Sequence, residues 1–194
     1  MKTRFLKILP VLFLWALTPE VCADGYWGYN ENGGSSLTMG PTYCWGNKYS
    51  VDWFSPGNNV VIDSFIIWCN GQNNNPRIVF GVYTVSGGVI ASLTAISETL
   101  SVTGNTMQRW VKSAGVALTS GATYTLCIDI VGSAGPAVAY ASQSAGLSRC
   151  NQNTFPATWN DNATVASRYS VAAHYYNQAS AAGIRRRIII GGDK

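Results

Sequence analysis

Trp159 stands directly before Asn160, Asp161 and Asn162, and Trp45 stands two residues before Asn47. An indole face beside amide and carboxylate groups suits a sugar: the ring stacks on its C–H surface while the polar side chains take its hydroxyls. Trp159, Asn160, Asp161, Trp45 and Asn47 are therefore the candidate ligand contacts, with a glycan or cell-surface polymer as the expected partner. The acidic run around Asp161 lacks the spaced D-x-D-x-D-G loop of a calcium site, so no metal is expected there.

Catalytic patterns are not found. The chain has a single histidine outside or inside any leader, His174, and it lies in the aromatic run AAHYY. A serine or cysteine nucleophile would need that histidine as its base, and no G-x-S-x-G elbow is present. Asp52, Asp63, Glu98, Asp129 and Asp161 leave a carboxylate pair formally open, but their spacing selects no two of them. The expectation is a protein that is not an enzyme and needs no cofactor.

Residues 1–23 read as a cleaved signal peptide. Lys2, Arg4 and Lys7 precede an apolar run from Ile8 to Leu17, and Val21 and Ala23 suit the positions before a cut ahead of Asp24. The run is too short for a bilayer, which takes about 20 residues, so no transmembrane segment is expected in the mature chain. Losing Lys2, Arg4, Lys7 and Glu20 takes the formal charge from +4 to +2. Three arginines at the C-terminus account for that excess and more, and a body this close to neutral argues against nucleic acid as a partner.

Export also frames the cysteines. Cys44, Cys69, Cys127 and Cys150 remain after cleavage, an even set with no C-x-x-C pair, which predicts two disulfides in a secreted or periplasmic protein. Three connectivities are open; modest loop lengths favour Cys44 with Cys69 and Cys127 with Cys150.

Strand patterns fill the chain between its ends. TYTLCIDIV places Tyr124, Leu126, Ile128 and Ile130 on one face and Thr125, Cys127 and Asp129 on the other, predicting a half-buried strand. RIVFGVYT points Ile78, Phe80 and Val82 inward, and VVIDSFIIW is apolar on both faces, as a central strand is. Turn clusters such as SPGNN, NGQNNNP and SGG separate these runs. Many short strands at this spacing predict an all-β antiparallel two-sheet β-sandwich over 24–176.

The series VYTVSGG, LSV, RWVK and VALTSGATYTL, followed later by FPATW and RYSVAAHYY, resembles a jelly-roll module of secreted bacterial proteins and of phage receptor-binding or tail proteins. The resemblance covers about Val51 to Tyr176. It implies a carbohydrate-binding or adhesive role and carries no catalytic residue with it.

Residues 177–194 form a linker and tail. Small and polar residues lead into Arg185, Arg186 and Arg187, which run directly into Ile188, Ile189 and Ile190. Arginines suit the phosphates or carboxylates of an anionic envelope partner, and an isoleucine triplet suits strand addition to a neighbour's sheet edge. This raises the alternative of self-assembly as a structural subunit of an extracellular appendage, filament or virion fibre.

Overall fold

Alternating apolar residues cut by turn clusters do become strands throughout. The computed structural model describes residues 24–48, 50–71, 76–103, 106–132, 135–150, 152 and 154–178. Residues 1–23, expected to be a signal peptide, and the tail segment with Arg185, Arg186, Arg187, Ile188, Ile189 and Ile190 lie outside the described residues.

The strands are β1 (Asp24–Gly28), β2 (Ser35–Thr38), β3 (Cys44–Asn47), β4 (Val60–Gly71), β5 (Arg77–Ser86), β6 (Val89–Ile96), β7 (Leu100–Ser101), β8 (Met107–Leu118), β9 (Thr123–Val131), β10 (Ala137–Cys150), β11 (Ala163–Tyr169) and β12 (Val171–Asn177). Among the described residues the sole helical element is a 3-10 turn at Ser50–Asp52. The all-β expectation holds, and every strand pairing is antiparallel.

The pairing runs as one continuous path, β1-β12-β4-β10-β3-β9-β5-β6, with β2 and β11 added to β10, β7 to β5 and β8 to β4. β10 joins the two halves. Its first residues pair with β2 on one edge and β4 on the other, and its last residues pair with β3 and β11. The path doubles back on itself: Phe65 of β4 and Phe80 of β5, far apart along it, stack at 4.8 Å and 9°.

The main core lies in that fold-over and takes the faces expected from alternation. Ile78, Phe80 and Val82 of β5 and Tyr124, Leu126, Ile128 and Ile130 of β9 all enter it. β4 is central, flanked by β12 and β8, as its two-sided apolarity requires.

The other face of β9 departs from expectation. Thr125, Cys127 and Asp129 are all buried. β6 and the segment after β10 cover them with a second, smaller core of Cys44, Tyr83, Ile90, Cys127, Cys150 and Trp159, with Leu93 and Phe155 packed against it.

The cysteine pairing expected from loop length is also corrected. All four cysteines are buried and unbonded in this structure, and Cys69 sits in the main core next to Val138, at the opposite end of β10 from Cys150 and its neighbour Cys44. A Cys44–Cys69 bond has no geometry here.

Candidate functional site

The segment after β10 is attached to the outer face by backbone and side-chain bonds. Leu93 N donates to Ala157 O at 3.0 Å and Trp159 N to Ala91 O at 2.7 Å, continuing the β6 edge by a short strand-like contact. Tyr83 Oη donates to Pro156 O at 2.6 Å.

Trp159 fastens the far end. Its Nε1 donates to Ser148 Oγ at 2.7 Å, Ser148 donates to Asp161 at 2.8 Å, and Lys48 pairs with the other Asp161 oxygen. The indole meets Tyr83 edge to face at 5.1 Å. Gly46 lies beneath: a Cβ there would come within 2.5 Å of Ile90 Cδ1, 2.8 Å of Cys127 Sγ and 3.3 Å of the Trp159 ring.

These contacts move the expected sugar site. Trp159 is 7% exposed and is a packing residue, not an open stacking platform. Asp161 is engaged by Ser148 and Lys48, while Asn160 and Asn162 are exposed, the latter held by its backbone N to Arg149 O at 2.8 Å. Trp45, also 7% exposed, lies in the main core with its ring edge-on to Tyr43 and Tyr169. Asn47 is 2% exposed; its backbone oxygen accepts Trp53 Nε1 and Thr125 Oγ1, and its side chain has no protein partner. Strand alternation explains the pair: Trp45 and Asn47 share the inward face of β3, while Cys44 and Gly46 take the outward one.

What the fold offers instead is a cleft beside the second core. Its volume is about 560 Å³, and Val79, Ile96, Asp129, Val131, Thr154 and Phe155 line most of it. The Phe155 ring forms one wall by lying over Gly81, where a Cβ would meet the ring at 2.9 Å. Asp129 lies in the lining, 5% exposed.

Burial pushes the Asp129 carboxyl up to about 6, while the Ile130 amide, donating at 2.8 Å, and the Cys44 thiol partly offset that rise. A carboxylate with few protein donors, set among apolar walls and an aromatic ring, has acceptor capacity left for a ligand. Alternation puts Asp129 on the second, polar face of a half-buried strand, and Phe155 enters the sequence reading only as part of the FPATW motif, not as a candidate contact. The signal for the latter was present: FPATW puts two large aromatics in a turn-rich stretch, too apolar for a loop that faces water.

A second polar group lies on the other half of the molecule. Asp63 is skipped by both neighbouring ladders, which shift register around it, and such a bulge re-aims a side chain. Its Oδ1 meets His174 Nδ1 at 2.8 Å and accepts the Ser64 hydroxyl at 2.9 Å, while Arg109 Nε donates to Ser64 Oγ at 2.8 Å. Burial opposes ionisation of Asp63, but the His174 and Ser64 bonds and the charges of His174 and Arg109 outweigh it and hold the carboxyl below its ordinary value. Ser64 and His174 converge on one carboxylate oxygen, so they are not linked in the nucleophile-to-base series of a hydrolase.

No protein-family model and no curated protein matches the chain. Among solved structures it is similar to the clostridial cysteine protease Cwp84 after propeptide cleavage, at 10% identity and a TM-score of 0.55, over 80% of this chain and 40% of that one. It is similar also to a structure of the cysteine protease and lectin-like domains of Cwp84, a surface layer associated protein of Clostridium difficile, at 12% identity and a TM-score of 0.55, over 80% of this chain and 36% of that one. At such identities the likeness is one of fold, and this chain spans well under two thirds of either protein.

Proposed function

We propose that the protein is a non-catalytic binding module of the cell surface, exported through its 1–23 leader, and that it takes a neutral glycan in the cleft between β9 and Phe155. The observation that carries this reading is the buried Asp129 carboxyl beside an aromatic wall. The ring stacks on a sugar's C–H face, the carboxylate accepts from its hydroxyls, and Thr42 and Thr154 add hydroxyls within the lining. A negatively charged sugar would bring like charge against Asp129, so neutral residues are preferred. The likeness of fold to a structure that includes lectin-like domains supports a binding role.

Titration calorimetry with neutral and acidic oligosaccharides tests the reading. The expected result is saturable binding of a neutral glycan that weakens about tenfold or more in Phe155→Ala, the scale of one aromatic contact. Absence of binding across the panel, or affinity unchanged in both Phe155→Ala and Asp129→Asn, refutes it.

A further inference from the structure

Cys44, Cys127 and Cys150 share the second core, yet strand order allows only one of the possible bonds. Cys44 and Cys150 are direct partners across β3 and β10. Lys48 N donates to Gly146 O at 2.9 Å, an even number of steps along the same ladder, which places Cys44 and Cys150 at a hydrogen-bonded pair. The Cα atoms of such a pair are about 5.5 Å apart, inside the range a disulfide spans.

The other combinations fail on distance. Cys127 is opposite Gly46, so it is diagonal to Cys44, and diagonal positions are roughly 7–8 Å apart, at or beyond the limit of about 7 Å for a bridge. Cys127 and Cys150 flank β3 on either side, which separates them by two interstrand spacings, about 10 Å. Cys69 belongs to the main core at the other end of β10.

We propose that in an oxidising compartment the chain carries one disulfide, Cys44–Cys150, and keeps Cys69 and Cys127 as buried thiols. The two thiols give up two electrons and two protons to a disulfide-bearing oxidant. One thiolate attacks the oxidant's sulfur to form a mixed disulfide, the second displaces it, and the oxidant leaves as two thiols. Burial raises the Cys44 thiol, and Cys44 Sγ lies 3.4 Å from Gln152 O in the covering segment. The exchange therefore takes place during folding, before that segment closes over Cys44.

The test is to refold the full reduced chain from denaturant in a glutathione redox buffer, digest it without reduction and map the peptides by mass spectrometry. The expected map has a single Cys44–Cys150 cross-link, with Cys69 and Cys127 alkylated only after unfolding. Reduction should then lower Tm by about 5–10 °C, an effect kept in Cys127→Ala and lost in Cys150→Ser. If either variant fails to fold, the wild-type map alone decides. A cross-link containing Cys69 or Cys127, or four thiols remaining after oxidative refolding, overturns the proposal.

Discussion

Phe65 and Phe80 stack at 4.8 Å in the main core, while Tyr83 and Trp159 meet edge to face at 5.1 Å in the second. The first pair joins two long strands, each contributing alternate residues of one face, and removes from water a set of side chains drawn from most of the sheet. The second joins the opposite face of β5 to a segment without regular structure, and it encloses polar groups as well: the Tyr83 hydroxyl, the Trp159 indole nitrogen and the Asp129 carboxyl. One region stabilises the fold chiefly by apolar burial, with polar atoms at its edges such as the Trp27 indole nitrogen, which donates to Asp52 O. The other holds a charge-bearing group in a place that costs stability, as binding sites do.

The sharpest way to break that contrast is to empty the main core. Phe80→Ala should destabilise the chain by about 3–5 kcal/mol, the range for a fully buried aromatic, and denaturant melts should show it as a lower midpoint. A change below about 1 kcal/mol would mean that the stacked pair does not anchor the fold.

Asp129→Asn should act in the opposite direction. The folded chain holds a proton on Asp129 up to about 6, against the ordinary aspartate value of 3.8. The native state thus binds the extra proton between those values, so stability falls as pH rises through that window and the loss is complete above about 6. Asn removes this dependence and should raise stability near neutral pH by roughly 2–3 kcal/mol at most, while weakening glycan binding. Wild-type affinity should itself fall as pH drops below about 6, because a protonated carboxyl loses acceptor capacity. Parallel pH profiles for the two proteins would remove Asp129 from both roles.

Trp159→Phe gives the smallest effect and the finest distinction. It keeps an aromatic ring against Tyr83 but deletes the donor to Ser148, at a cost of about 1 kcal/mol. Hydrogen exchange should quicken at the Trp159 and Leu93 amides, which tie the covering segment to β6, and stay unchanged in β4 and β5. Uniform quickening would show that the two cores open together.

Much of the main core was legible because its signal is periodic. Ile78, Phe80 and Val82, and Tyr124 through Ile130 at every second position, enter it as alternation requires. The candidate site was misplaced for the same reason. Thr125, Cys127 and Asp129 occupy the complementary positions of that strand, where a polar residue ordinarily means water, and nothing within the strand announces a second layer. Trp159 and its polar neighbours have the composition of a sugar platform, yet their bonds to Ser148 and Lys48 turn that composition to anchoring.

The sequence by itself determined the all-β class and the inward faces of β5 and β9, since each depends on residues close together in the chain. Strand order was decided only by the tertiary structure. That order makes Cys150 the neighbour of Cys44, sends Cys69 to the far end of β10, and sets Trp159 over Gly46. Which thiols can bond and how far above the ordinary aspartate range Asp129 keeps its proton follow from neighbours across ladders and from the layer that excludes water. Those are non-local contacts, and the alternation within any one strand carries no record of them.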